Sequence, residues 1–294
     1  MGAETASRAV FGQNSGPPTP VLTDADTTAG VLSTEFSTAN ETVKLIASDA
    51  QEGAHFGSVA LYGDVLAVGA YRDDDLGSNA GAVYVYRRSG TVWVEEAKLT
   101  VSDGAPSEGF GIGVAMSENV IFANSRDEIP SCPEDDPICD AGSVYVFRFD
   151  GSEWVEEARL MASDPVSHSA FGSGLSAEGS RLVVGAPQTD GMATYSGAGY
   201  IFSTDGTTWT EEAKISASDG EFNDQFGRAV AIHGGILTVG ASKDDDAGQD
   251  AGAIYIHRLQ GGTWKLEGKI TASDAAPGDR FGSGLSINSG TLVV

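Results

Sequence analysis

Phe56-Gly57-Ser58-Val59-Ala60-Leu61-Tyr62-Gly63-Asp64-Val65-Leu66-Ala67-Val68-Gly69-Ala70 is the stretch whose reading decides the fold. Two short apolar runs joined by Gly63-Asp64 read as a β-hairpin. A polar loop over residues 71–81 leads to Ala82-Val83-Tyr84-Val85-Tyr86, whose β-branched and aromatic content suits a third strand. A turn at Arg88-Ser89-Gly90 opens a fourth, Trp93-Val94-Glu95-Glu96-Ala97-Lys98-Leu99.

The unit repeats. Phe-Gly recurs at Phe56, Phe110, Phe171, Phe226 and Phe281, separated by 54, 61, 55 and 55 residues. Ser-Asp follows the same series at Ser48, Ser102, Ser163, Ser218 and Ser273, and tryptophan keeps it at Trp93, Trp154, Trp209 and Trp264. Three markers sharing one irregular metre define units starting at residues 56, 110, 171, 226 and 281. Four short strands at a period near 55 predict an all-β fold, a β-propeller of four-stranded antiparallel blades. A helical solenoid would need 3.6-residue periodicity in each unit, and none is visible. The 39 glycines among 294 residues, about 13 % against a usual ~7 %, agree with a turn-rich β chain.

The tail from Phe281 stops inside the second strand of a fifth unit. Residues 41–49 align with 95–103, and residues 31–36 could be the strand before them. Two strands from each end would then build one shared blade, so that residues 31–294 form five blades, with residues 1–30 a flexible leader.

The units resemble bacterial FG-GAP repeat proteins and the blades of integrin α-chain propellers. Phe56-Gly57 with Gly69-Ala70, Phe171-Gly172 with Gly185-Ala186-Pro187, and Phe226-Gly227 with Gly240-Ala241 carry the resemblance. The second unit departs from it, with Ala123-Asn124 where the others have Gly-Ala. The resemblance implies an extracellular propeller used for recognition, adhesion or scaffolding rather than catalysis. Integrin propellers have seven blades, so a fragment of a larger ring is the alternative to five.

With 42 acidic and 17 basic side chains the formal charge is −25. Such a polyanion is repelled by phosphate backbones and anionic lipid, which excludes electrostatic nucleic-acid binding. No apolar run is long enough for a membrane helix, no signal peptide opens the chain, and a monomer is expected. Sorting carboxylates by loop places Asp73-Asp74-Asp75, Glu134-Asp135-Asp136 and Asp244-Asp245-Asp246 between second and third strands. The blade-to-blade links hold Asp49, Asp103, Asp164, Asp219 and Asp274. Both loop classes leave by one side of the ring, so one face is expected to be acidic.

Three sets have oxygen ligands spaced as positions 1, 3 and 7 of a calcium loop: Asp73, Asp75 and Asn79; Glu134, Asp136 and Asp140; Asp244, Asp246 and Asp250. Hard carboxylates without nearby His or Cys suit Ca²⁺. The family's own calcium motif lies in an interval that here is only a hairpin, so its ligands do not carry over. Solvated Asp, Asn and Gly turns are the alternative, and the third unit, Thr189-Asp190-Gly191, has lost the triplet.

Cys132 and Cys139 bracket the second unit's acidic loop and suggest a disulfide in an oxidising compartment. His55, His168, His233 and His257 fall at unrelated repeat positions, and no nucleophilic triad signature appears. Glu95-Glu96, Glu156-Glu157 and Glu211-Glu212 recur in phase, whereas a catalytic pair should occur once. The sequence reading is therefore a non-enzymatic, secreted or cell-surface propeller that recognises a protein or glycan through an acidic, calcium-binding face. A polysaccharide hydrolase or lyase, or a purely structural module, is the rival.

Overall fold

The computed structural model describes residues 43–126 and 140–294. It contains four complete antiparallel sheets of four strands in sequence order. Blade one is β1 (Phe56–Tyr62), β2 (Val65–Ala70), β3 (Ala82–Ser89) and β4 (Val92–Leu99). Blade two is β5 (Val114–Ser117), β6 (Val120–Ser125), β7 (Ser143–Phe149) and β8 (Trp154–Leu160). Blade three is β9 (Gly174–Glu178), β10 (Arg181–Ala186), β11 (Ala198–Thr204) and β12 (Trp209–Ile215). Blade four is β13 (Phe226–His233), β14 (Ile236–Ala241), β15 (Ala253–Gln260) and β16 (Thr263–Ile270). A fifth unit begins with the hairpin β17 (Ser286–Asn288) and β18 (Thr291–Val293).

Successive blades meet through their first strands, β1 against β5, β5 against β9, β9 against β13 and β13 against β17. The first strands therefore run along the axis and the fourth strands form the perimeter, the arrangement of a propeller. Strands 2 and 3 are buried on both faces, which is why Val65-Leu66-Ala67-Val68 reads as an unbroken apolar run rather than alternating.

The cores lie between blades. Val65, Ala67, Val83 and Val85 of blade one pack against Phe110, Ile121, Tyr145 and Phe147 of blade two. Blades two and three repeat the arrangement with Phe122 and Val144 against Leu182, Tyr200 and Phe202, and blades three and four with Val183 and Ile201 against Leu237, Val239 and Tyr255. In each blade the phenylalanine of Phe-Gly lies edge-on to the blade's buried tyrosine, with ring centroids 5.6, 5.7, 5.5 and 5.2 Å apart in turn. A second aromatic follows it: Tyr86, Phe147, Phe202 or His257. His257, set aside in the sequence as unrelated to the repeat, is thus the fourth blade's version of this ring.

The glycines of the motif are a close-approach device. A Cβ built on Gly69 would lie 1.9 Å from the Gly111 carbonyl oxygen, and one on Gly185 would lie 1.8 Å from that of Gly227. The Gly of Gly-Ala lets the backbone of the next Phe-Gly pass directly over it. The register also corrects one alignment. Asn124 pairs with Val144 as Gly69 pairs with Val83, so Asn124-Ser125, not Ala123-Asn124, stands at the Gly-Ala position. The Asn124 carboxamide there accepts from the Gly113 amide at 2.6 Å.

At the head, the expected strand over residues 41–49 does not form in its described part. Residues 43–47 carry no strand, and Leu45 and Ala47 pack on the face formed by Leu66, Val68 and Tyr84 of blade one. The β17–β18 sheet is two-stranded among the described residues. The other expected head strand, residues 31–36, and the leader, residues 1–30, lie outside them.

Candidate functional site

The acidic loops are built around one recurring lock. The Tyr84 hydroxyl donates to Asp49 Oδ1 at 2.6 Å, with Asp73 Oδ2 as an alternative acceptor at 2.8 Å. The Lys98 ammonium, 5.1 Å above the Tyr84 ring centroid, reaches Asp49 Oδ2 at 2.7 Å and Asp73 Oδ2 at 2.9 Å, and also contacts Asp75. Blade four repeats it with Tyr255, Lys269 and the carboxylates of Asp219, Asp244 and Asp246. In blade two Tyr145 and Arg159 hold Asp103, and blade three keeps a reduced version, Tyr200 and Lys214 on Asp164. The aspartates of the first four Ser-Asp links, Asp49, Asp103, Asp164 and Asp219, are therefore each bound by the blade they precede.

The electrostatics follow from this packing. Lys98, then Tyr84, hold the Asp49 carboxyl below its usual range. Burial disfavours the Lys98 ammonium, but hydrogen bonds to Asp49, Asp75, Tyr84 and Asp73 outweigh it and raise its pKa. Burial, then the neighbouring Asp49, pushes the Tyr84 phenol up. Asp49 and Lys98 therefore stay charged, and the Tyr84 phenol neutral, across the physiological range.

Of the expected calcium ligands, Asp73 and Asp75 do come together, with Asp49 as an unexpected third carboxylate. Asp244 and Asp246 meet likewise around Lys269. Asn79 and Asp250 do not complete these sets. Both have left-handed backbones, φ 54° and 49°, and each amide donates to the middle aspartate of its triplet, Asp74 or Asp245. Their carbonyls accept from the next link, at Gly109 and Arg280. Tyr195 of blade three, which has neither carboxylate nor carboxamide, has the same left-handed backbone, φ 55°, the same amide bond to Asp190 and the same carbonyl bond, to Gln225. This fourth position is thus a backbone hinge between loop and link, not a ligand. The ammonium groups of Lys98 and Lys269 sit among these carboxylates. Asp140 has φ 52° and bonds the His168 amide through its carbonyl, the same hinge. Glu134, Asp136, Cys132 and Cys139 lie outside the described residues.

The paired glutamates are also structural. Glu95 accepts from the Ser48 amide and hydroxyl at 2.8 and 2.6 Å, as Glu156 does from Ser102 and Glu211 from Ser163. Glu96 sits at a bulge between the Val85–Ala97 and Tyr86–Glu95 pairs, which aims it at Arg87 and at the Trp154 indole of the next blade. Glu157 does the same for Arg148 and Trp209. In blade four Leu266 replaces the first glutamate, so this pair recurs in three blades rather than in all.

A sequence model of the family described as FG-GAP repeat matches residues 39–86, 93–147, 154–202, 209–257 and 264–294. The chain is an FG-GAP repeat protein. Three of these matches, 93–147, 154–202 and 209–257, begin at a tryptophan and end in a third strand, so each of these FG-GAP units straddles two blades, joining one perimeter strand to the next blade's inner three. The Glu–Ser and Trp–Glu bonds cross the same seam. No curated protein matches the chain.

The FG-GAP units leave a concave feature on the face of links and second-to-third loops. It is an open cleft of about 980 Å³ near the axis, lined by Ser107, Arg126, His168, Ser173, Arg228 and Ser283 among others. An adjoining lobe of about 340 Å³ adds Lys243 and Arg280. Arg72, Arg126, Gln188 and Lys243 are equivalent, since each amide bonds the carbonyl two residues before a Phe-Gly. Sequence reasoning that followed carboxylates alone missed this cluster. The findable signal was a basic residue flanking Phe-Gly, Arg228 just after Gly227 and Arg280 just before Phe281. Beside it Asp224 is buried, and burial, followed by the charges of Asp244 and Asp245, pushes its carboxyl up to about 6.

Proposed function

We propose that this FG-GAP chain is a non-catalytic recognition module that takes a protein or glycan ligand at the axial cleft. The observation that carries the reading is the division of labour on the link face. Eight of its carboxylates, Asp49, Asp73, Asp75, Asp103, Asp164, Asp219, Asp244 and Asp246, are tied to lysine or arginine, while the cleft at its centre offers polar side chains and volume in the range of ligand sites. The cleft serines are not set up as nucleophiles: the Ser173 and Ser283 hydroxyls donate to the Ala170 and Arg280 carbonyls at 2.8 and 2.6 Å. The glutamate pairs that might serve a glycosidase hold serines, arginines and tryptophans instead. Recognition of this kind suits a secreted or surface-displayed molecule, the setting implied by the integrin-like repeat.

The test is a panel of immobilised glycans and peptides probed with the wild-type chain and with Gln188→Trp, which fills the cleft from an exposed position. Ligands retained by the wild type should be lost by the variant at unchanged melting midpoint. Retention of the same ligands by Gln188→Trp would place recognition elsewhere.

A further inference from the structure

We infer that the 340 Å³ lobe of the cleft binds a compact, multiply charged carboxylate, such as a small di- or tricarboxylate. This rests on the recognition reading and specifies its chemistry. The protein carries a net charge of −25, yet Arg228, Lys243 and Arg280 converge on one lobe. None of the three has an ion-pair partner among the described residues, in contrast to the perimeter cations. Arg87, Arg148, Arg181 and Arg258 each hold a bulge or perimeter glutamate, and Lys98 and Lys269 each hold three aspartates.

The backbone keeps these cations at the axis. Arg228 directly follows Gly227, whose φ of 97° belongs to the close interblade approach. Arg280 has φ 56° and donates its amide to the Asp250 carbonyl at 3.1 Å, while the Lys243 amide is held by the Asp224 carbonyl at 3.1 Å. Each side chain thus starts from a fixed point of the interblade seam. Gln188 and Ser242 add neutral hydrogen-bonding groups to the lobe wall. Two guanidinium groups and an ammonium form the donor set that recognises carboxylates by paired, charge-assisted hydrogen bonds.

The acidic surround decides the size of the ligand. The triplet loops around the cleft repel an extended polyanion along most of its length, and that repulsion is long-ranged at low salt. A ligand whose charge fits wholly inside the lobe escapes it. Cationic centre and acidic rim together select compact anions over long ones.

The experiment is calorimetric titration of the whole chain with citrate, and separately with a sulfated oligosaccharide as the extended polyanion. Citrate should bind one site saturably and weaken with added salt. Arg228→Gln and Arg280→Gln should each weaken it by about tenfold or more, the worth of a charge-assisted hydrogen bond. Arg258→Gln, on the perimeter, should leave it unchanged. Absence of citrate binding, binding indifferent to the two cleft arginines, or tighter binding of the oligosaccharide would each overturn the inference. If citrate fails while Gln188→Trp still abolishes capture on the panel, the anion chemistry falls and the recognition site stands.

Discussion

At the residue scale, His257 and Gly185 show how the repeat tolerates or forbids change. His257 fills a ring position held by Tyr86, Phe147 and Phe202 in the other blades, and it is only 5 % exposed, with Nδ1 lacking a hydrogen bond among the described residues. Burial lowers its pKa from 6.5 to about 4. The unfolded chain therefore binds a proton between those values that the folded chain does not, so stability falls as pH drops through 6.5 and levels off near 4. His257→Phe should remove that loss, on the order of 3 kcal/mol across the window, measured by urea unfolding at pH 7.5 and 4.5. Equal pH dependence in variant and wild type would contradict the assignment. Gly185→Ala places a methyl 1.8 Å from the Gly227 oxygen and should cost about 3 kcal/mol or more, because the contact is backbone and cannot rotate away. Gly268→Ala, in β16 with nothing within 4 Å, is the matched control and should be neutral or slightly stabilising.

At the element scale, the strands were legible because the signals that define them are local. The hairpin at Gly63-Asp64, the β-branched third strand and the phased Phe-Gly could all be read within one unit. The lock was not legible, because its partners come from different places. Asp49 precedes blade one, Asp73 and Asp75 lie in a loop, and Lys98 is on the perimeter strand 49 residues beyond Asp49. Spacing within a single loop suggested Asp73, Asp75 and Asn79 as one ligand set, whereas the fold separates side-chain from backbone duties. Tyr195 exposes the difference: it keeps the hinge geometry of Asn79 and Asp250 without their carboxamide or carboxylate. The same reasoning recasts the tryptophans, whose indoles at Trp154 and Trp209 bind the preceding blade's glutamates. Interblade bonds of this kind at the seams before blades two and three explain why the family unit spans the seam rather than a single blade.

At the scale of the whole molecule, the charge of −25 divides into two parts with different roles. Carboxylates of the first four links and of the triplets at Asp73 and Asp244 bind lysine, arginine and tyrosine of the same or the next blade, while a few cations collect at the axial cleft. The central claim is that the triplets at Asp73 and Asp244 hold the protein's own lysine at carboxylates whose spacing suggests a metal ion. Asp73 is 1 % exposed, so replacing Lys98 by Met strands a buried carboxylate and should cost about 3 kcal/mol or more. The most direct measurement is thermal unfolding of the wild type, Lys98→Met and Lys269→Met, each with and without millimolar Ca²⁺. The account predicts an unmoved wild-type midpoint, and lysine variants that melt lower and regain part of the loss when Ca²⁺ enters the vacated carboxylates. A wild-type midpoint that rises with Ca²⁺, with the lysine variants responding no more than it does, would contradict it.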